Sequence, residues 1–214
     1  MRVFENNSAI VIGIPCSDLE FSHEVYGEGF YVFKLRIPRL SNYEDVLPIT
    51  ISERLISNLN FQNQKVFKVE GQLRSYNKVV NGSNRLILTI FARDISEEDK
   101  NNITNPNQIF LDGYICKQPI YRTTPFGREI TDMLIAVNRP YRKSDYIPCI
   151  AWGRNARYSQ NMKIGDRIKI WGRIQSREYQ KRINEEKILK KIAYEVSISK
   201  MKVIPEENNR LENE

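Results

Sequence analysis

The chain has 214 residues, a formal net charge of +7, one histidine and three cysteines. Its length allows one large domain or two of about a hundred residues. Residues 1–7 lack the apolar segment of a signal peptide, and no apolar run approaches the ~18 residues that a membrane span needs, so we expect a soluble intracellular protein. We predict no enzyme, no metal and no cofactor. The chain has a single histidine, His23, and lacks C-x-x-C spacing, a carboxylate pair, a Gly-rich phosphate loop and a nucleophile elbow.

Two stretches about 100 residues apart share a pattern, which predicts a tandem repeat. Residues 8–17 compare with residues 108–117, and further pairs keep the same residue at equivalent positions. These pairs are Gly13 and Gly113, Cys16 and Cys116, Pro48 and Pro148, Gly71 and Gly172, and Ser75 and Ser176. We expect Cys16, Cys116 and Cys149 to be buried reduced thiols, because they lie in apolar strand contexts.

The first copy has the pattern of five strands and one short helix. Apolar and β-branched runs predict strands at 8–16, 29–39, 45–51, 65–76 and 85–94, with a helix at 52–59 between the third and fourth strands. This is the element order of the OB fold. We therefore predict an all-β protein made of two tandem five-stranded OB-fold barrels, each with a short helix between strands 3 and 4.

Composition sets the expected domain boundaries. Residues 1–95 would form the first domain, and residues 96–106, which are polar and end in Asn-Pro, would form a linker. Residues 107–204 would form the second domain, with residues 180–191 as the hairpin between its strands 4 and 5. Residues 205–214 are acidic and are expected to be a disordered tail.

The second copy places aromatic and basic side chains on one predicted surface. Alternation in residues 146–152 puts Tyr146, Ile150 and Trp152 outward and smaller residues inward. The strand after it has a similar outward set, formed by Lys169, Trp171, Arg173, Arg177 and Tyr179. Rings for bases and cations for phosphates are typical of single-stranded nucleic acid binding, whereas a solvated strand face at a partner interface is the alternative interpretation.

Four segments of this copy resemble the bacterial single-stranded-DNA-binding protein family, an OB-fold family. They are Asp-Gly-Tyr at 112–114, Leu-Ile-Ala-Val-Asn-Arg-Pro-Tyr at 134–141, Asp-Tyr-Ile-Pro-Cys-Ile-Ala-Trp-Gly-Arg at 145–154, and Ile-Trp-Gly-Arg-Ile-Gln-Ser-Arg-Glu-Tyr at 170–179. The resemblance implies that bases stack on Tyr141, Tyr146, Trp152 and Tyr179, although two of these are Tyr where the family usually has Trp. Trp171 has no stacking counterpart, and we expect it to serve in subunit or domain packing.

Basic residues beside these rings are expected to contact phosphates. They are Arg139, Arg142, Lys143, Arg154, Arg173, Arg177, Lys181 and Arg182, with Lys190 and Lys191 on the adjoining hairpin. Residues 1–104 carry 12 Lys and Arg against 13 Asp and Glu, a net of −1, whereas residues 105–214 carry 21 against 13, a net of +8. This asymmetry predicts a polyanionic partner for the second half of the chain.

The first copy lacks rings at the positions equivalent to the stacking set. The positions equivalent to Tyr146, Trp152 and Tyr179 are occupied by Val46, Ser52 and Lys78, and the position equivalent to Tyr141 by Leu40 or Ser41. The copy does contain Phe30, Tyr31, Phe33 and Tyr43, which we interpret as core and packing residues rather than a second base-binding platform. We therefore expect a structural or assembly role for the first domain.

The leading hypothesis is a non-enzymatic, largely sequence-independent single-stranded DNA-binding protein of replication, recombination or repair, cytoplasmic and nucleoid-associated. The alternatives are an OB-fold protein-interaction adaptor in replication restart and a single-stranded RNA-binding protein, because nothing in the sequence recognises a 2′-hydroxyl. Family members with one OB domain per chain assemble as tetramers. A chain with two such domains presents four when it dimerises, so the resemblance implies a homodimer. Replication or repair proteins are candidate partners, although the tail lacks the apolar tip with which the family docks on them.

Overall fold

The computed structural model describes residues 6–205, except residues 40, 42, 58–64, 81 and 183–187; at residues 80, 83, 102, 180–182 and 188–191 it describes the backbone alone. Within these residues the chain forms twelve strands. They are β1 Asn7–Pro15, β2 Glu20–Val25, β3 Glu28–Pro38, β4 Glu44–Ser52, β5 Val66–Val80, β6 Ser83–Glu98, β7 Asn107–Ile115, β8 Ile120–Thr123, β9 Glu129–Arg139, β10 Lys143–Trp152, β11 Arg167–Arg182 and β12 Ile188–Ile204. The helices are α1 Glu53–Ile56, α2 Arg154–Ser159 and one 3₁₀ turn at Lys100–Asn102.

Five of the first six strands close a barrel. β1 pairs with β3 and β5, β3 with β4, and β5 with β6, all antiparallel, while β4 and β6 pair in parallel at Ile49 and Ile90. This is the strand order of the OB fold. Alternate residues of β3, including Phe33 and Leu35, are almost completely buried, so the core lies inside the ring of strands.

The second copy repeats this ring. β7 pairs with β9 and β11, β9 with β10, and β11 with β12, while β10 and β12 pair in parallel at Cys149 and Val196. Helix α2 follows β10, as α1 follows β4. The prediction of two tandem OB barrels, each with a short helix between its third and fourth ring strands, is therefore confirmed.

Each barrel also carries one strand outside the ring that the sequence did not indicate. β2 pairs with β3, and β8 pairs with β9. All six residues of β2 are exposed, so this strand lacks the alternation of buried and exposed residues that identifies a half-buried strand. Each domain thus has six strands, five of them in the barrel.

Several element boundaries differ from the predicted ones. β11 continues to Arg182 and β12 begins at Ile188, so much of the expected 180–191 hairpin is paired strand. β6 continues to Glu98, three residues into the segment expected to be linker. Helix α1 ends at Ile56 instead of residue 59, and part of the expected helix lies outside the described residues. Pairing partners decide these ends, and local composition does not reveal them.

The two barrels are joined edge to edge. β1 and β7 pair antiparallel, so one twelve-stranded sheet passes through both barrels. Two carboxylates reach across this junction in equivalent ways. Asp45 Oδ1 accepts a hydrogen bond from Ser176 N at 2.7 Å, and Asp145 Oδ1 accepts one from Ser75 N at 2.7 Å. The junction therefore has approximate two-fold symmetry, and the short connection between the copies does not separate them.

All three cysteines are free thiols. Cys149 is buried in the core of the second barrel, and this burial raises the pKa of its thiol well above the ordinary value. Cys16 and Cys116 are half-buried, so the expectation of burial is wrong for these two residues.

Candidate nucleic-acid interface

Trp152 and Tyr146 project from the outer face of β10. Their side chains are 36% and 45% exposed, while the intervening Ile147, Cys149 and Ala151 belong to the core. Trp152 Nε1 donates a hydrogen bond to Ser197 Oγ on β12 at 3.2 Å, which holds one edge of the indole against the barrel. The ring is thus positioned by the protein while part of it stays open to a ligand. Ile150, expected to be displayed with these rings, is instead buried.

Tyr179 lies on β11, on the other side of β12. The ladder places Ile150 of β10 opposite Ser197 and Tyr179 of β11 opposite Lys191, both on β12. Because neighbouring strands lie about 4.8 Å apart, β10 and β11 are separated by roughly 10 Å across the sheet. Tyr179 is 38% exposed. Tyr146 and Trp152 on β10 and Tyr179 on β11 therefore occupy the two strands that flank β12.

Tyr141 lies in the turn between β9 and β10 and is 93% exposed. Its φ is +62°, and the φ of Arg142 is +55°. Two consecutive residues other than glycine in this left-handed region are uncommon. The turn holds the ring of Tyr141 away from the barrel, with the exposed Arg142 and Lys143 beside it.

The predicted cations differ in how their charges are compensated. Arg154, at the start of α2, and Arg173, on β11, are exposed, and neither has an ion pair within the described part of the chain. Arg177 lies 3.4 Å from Glu195 Oε1, so part of its charge is already neutralised. The backbones of Lys181 and Arg182 lie on β11 and those of Lys190 and Lys191 on β12, while their side chains are outside the described residues.

Trp171 contacts other residues of the second barrel on its outer face. Its ring centroid lies 5.2 Å from that of Phe110 on β7, and Lys200 Nζ of β12 lies 5.1 Å from the ring. The residue is half-buried. Trp171 thus belongs to the outer face of the sheet near the junction of the barrels and is separate from the stacking candidates on β10.

Arg139 points into the junction between the barrels. Its Nε lies 3.4 Å from Asp145 Oδ2, and Arg74 Nη1 of the first barrel lies 3.0 Å from the same oxygen. The Asp145 side chain is completely buried. Burial lowers the pKa of the Arg74 guanidinium, Asp145 raises it, and the nearby charges of Arg139 and Arg93 lower it again. Arg139 is therefore partly a junction residue, in contrast to its expected position on the open surface.

The aromatic residues of the first copy do not form one platform. Phe33 is buried in the core, and Tyr31 is partly buried against it. Phe30 stacks on His23, with ring centroids 5.1 Å apart and planes 10° apart. Tyr43 is 72% exposed, so its expected packing role is wrong.

The described residues contain no group of three or more His, Cys, Asp or Glu side chains that could hold a metal ion. None of their helices has the length and apolar character required to cross a membrane.

Comparison with known protein families matches the second half of the chain, which contains the candidate interface. Residues 106–204 match the Single-strand binding protein family. The Single-stranded DNA-binding protein of Oceanobacillus iheyensis is 37% identical over 81 residues, which are 35% of this chain and 50% of that protein. This chain thus spans about half the length of the curated relatives that it matches.

Two solved structures are also similar. The crystal structure of wild-type single-stranded DNA binding protein from Thermus aquaticus superposes with a TM-score of 0.71 at 17% identity and covers 93% of each chain, which supports the two-barrel fold. The N-terminal domain of PriB protein from Thermoanaerobacter tencongensis, described as a dimeric structure, is 51% identical. It covers 45% of this chain and 100% of its own, but its TM-score of 0.39 supports no argument about this chain.

Proposed function

We propose, from the membership of residues 106–204 in the Single-strand binding protein family, that this chain is a non-enzymatic protein that binds single-stranded DNA largely independently of sequence. Replication, recombination or repair of DNA in the cytoplasm would be its setting. The second barrel would provide the main grip, by stacking bases on Tyr141, Tyr146, Trp152 and Tyr179.

One observation carries this proposal: Trp152 is fixed at one edge and open on the outer face of the barrel. Its hydrogen bond to Ser197 holds the indole in place, and 36% of the residue remains exposed. A positioned ring loses little conformational freedom when a base stacks on it. Any base has a flat face, so such a surface binds single strands without recognising their sequence.

Cations beside the rings would hold the phosphates between stacked bases. Arg142 and Lys143 adjoin Tyr141, and Arg154 follows Trp152 by two residues. Arg173 is exposed on β11, the strand that carries Tyr179. Arg177 would contribute less than these residues because Glu195 already neutralises part of its charge.

Competition between matched DNA and RNA oligonucleotides of the same sequence tests the substrate class. We expect the DNA strand to displace the RNA strand at lower concentration. Equal affinities would reduce the assignment to single-stranded nucleic acid, since RNA bases stack equally well on aromatic rings. Failure of both strands to bind at low salt would favour the alternative function of a protein-interaction adaptor, with replication or repair proteins as its partners.

We also propose that the chain forms a homodimer. A chain with two OB barrels presents four barrels when it dimerises, the number found in tetramers of single-barrel family members. Trp171 and Phe110, half-buried on the outer face of the sheet near the junction, are candidates for the contact. Light scattering coupled to size exclusion should give twice the 25.2 kDa mass of the chain. A particle of 25.2 kDa at micromolar concentration would contradict this assembly.

A further inference from the structure

The junction between the barrels contains one buried aspartate from each copy, at equivalent positions. Asp45 lies opposite Ile37 in the pairing of β3 with β4, and Asp145 lies opposite Val137 in the pairing of β9 with β10. Both aspartates are completely buried, so each carboxylate requires a cation and hydrogen-bond donors. A difference in how the two carboxylates are satisfied therefore has to come from residues that differ between the copies.

Asp45 is paired with a single arginine. Arg39 Nε donates to Asp45 Oδ2 at 2.7 Å and Arg39 Nη2 donates to Asp45 Oδ1 at 2.5 Å, so the guanidinium binds the carboxylate through two hydrogen bonds. The hydrogen bond to Asp45 raises the pKa of the Arg39 guanidinium. Ser176 N adds a further hydrogen bond to Asp45 Oδ1 at 2.7 Å. One positive and one negative charge cancel at this site.

Asp145 is bonded to a different arginine. Arg139 occupies the position equivalent to Arg39, two residues after the one that faces the aspartate. Its Nε is buried and lies 3.4 Å from Asp145 Oδ2, but it makes no hydrogen bond within the described part of the chain. Arg74 of the first barrel donates to that oxygen instead, from Nη1 at 3.0 Å. The oxygen that binds Arg39 Nε in one site therefore binds Arg74 in the other.

One position of the fourth ring strand accounts for this difference. Arg74 is equivalent to Gln175, because each precedes the serine that the two copies share. Gln175 is uncharged, and its Nε2 donates to Glu195 Oε1 at 3.1 Å, so it does not compete for Asp45. Asp145, in contrast, lies within ion-pair distance of two arginines. The charges of these three groups sum to +1.

The extra positive charge lies beside the stacking candidates of the second barrel. Arg139 precedes Tyr141 by two residues, and Tyr146 directly follows Asp145. The Arg139 side chain is 30% exposed and lines a groove at the junction, whereas the Arg74 side chain is only 15% exposed. Of the two arginines, Arg139 is therefore the one that is more accessible to a phosphate.

We infer that Arg74 is a positioning residue for DNA binding. By occupying the buried Asp145 carboxylate, it releases Arg139 to contact a phosphate. That phosphate would lie beside the bases stacked on Tyr141 and Tyr146. This inference rests on the proposed function, and it makes a residue of the first barrel responsible for the charge that the second barrel presents to the strand.

The test compares the wild-type chain with Arg74→Gln, Arg139→Gln and the double variant. Glutamine is the residue that the second barrel has at the position equivalent to Arg74. In Arg74→Gln, we expect Arg139 to form a two-bonded pair with Asp145, so the phosphate loses its contact although Arg139 is still present. Each single variant should therefore reduce the slope of log K against log salt for oligo-dT by about 0.7 and weaken binding about fivefold at about 0.1 M salt.

The double variant should bind oligo-dT as either single variant does, because Arg139 no longer contacts the strand once Arg74 is absent. Its midpoint of urea unfolding should be lower than that of either single variant, since Asp145 then has neither arginine. Arg39→Gln is the control. It removes the arginine from Asp45, so it should lower the unfolding midpoint and leave the salt slope unchanged.

Two binding results would overturn the inference while the proposed function stands. One is wild-type binding by Arg139→Gln. The other is a double variant whose losses add, with the slope reduced by about 1.4, because that shows two independent phosphate contacts. If the wild-type chain did not bind oligo-dT, the proposed function would fail and the inference with it.

A crystal structure of Arg74→Gln tests the inference even if the double variant does not fold. Arg139 Nε should lie within hydrogen-bonding distance of Asp145 Oδ2, as Arg39 Nε does at Asp45 Oδ2. An unchanged Arg139 would contradict the release of this side chain by Arg74.

Discussion

Replacing Trp152 by alanine is expected to weaken binding of oligo-dT by about tenfold or more, because one base–aromatic stack contributes roughly 1–3 kcal/mol. The indole is held by Ser197 and is open at the barrel surface, so its removal takes away a ring that is already positioned for a base. Tyr146→Ala and Tyr179→Ala should weaken binding in the same direction. Fluorescence anisotropy of a labelled oligonucleotide measures these changes.

Trp152→Phe is the matched control for this prediction. It removes the indole N–H that bonds to Ser197 but keeps a flat ring at the same place. Because the ring is what a base stacks on, most of the affinity should remain. Thermal unfolding of both variants shows whether the barrel is intact. If Trp152→Ala bound oligo-dT as tightly as the wild type, the stacking surface would have been placed on the wrong face of β10.

Replacing Asp145 by alanine should lower the free energy of unfolding by about 3–5 kcal/mol, the usual cost of removing one partner from a buried charge pair. Asp145 is completely buried, accepts a hydrogen bond from Ser75 N and lies 3.0 Å from Arg74 Nη1. Its loss would leave the partly buried Arg74 without its carboxylate and Ser75 N without its acceptor. Urea unfolding, monitored by circular dichroism, measures the loss.

Asp132→Ala is the matched control for Asp145→Ala. Asp132 also pairs with an arginine, Arg122 at 2.6 Å, but the side chains of Arg122 and Asp132 are 47% and 39% exposed, in contrast to the buried Asp145. An exposed ion pair contributes about 0–1 kcal/mol, so this variant should stay close to the wild type. Equal stability of the Asp145→Ala and Asp132→Ala variants would show that the junction does not depend on the buried carboxylate.

The barrels could be predicted from sequence because their strands alternate strongly. Phe33, Leu35 and Ile37 mark the inner face of one strand, and the repeat spacing transferred that pattern to the second copy. The exposure of Tyr146 and Trp152 followed from the same alternation, because residues two apart lie on the same face of a strand, but the alternation was wrong for Ile150, which is buried. β2 escaped prediction because all of its residues are exposed.

The junction between the two barrels could not be predicted in the same way. Asp145 and Arg139 belong to a basic segment of the sequence. Only the packing of β10 against β5 shows that Arg74 of the first barrel pairs with the same Asp145 carboxylate as Arg139. The net charge of −1 for residues 1–104 did not reveal a basic surface on the first barrel, because it is summed over a whole domain. Arg74, Lys78 and Arg93 lie together on one face of that barrel.

A fluorescence titration with oligo-dT at two salt concentrations tests the central claim most directly. In a Trp171→Phe variant, Trp152 is the only remaining tryptophan, so any quenching reports on the stacking surface itself. We expect saturable quenching and, if about five phosphates are neutralised, a slope of log K against log salt of roughly −3.5. Fluorescence that stays unchanged on addition of oligo-dT at low salt would contradict the assignment of this surface to single-stranded DNA.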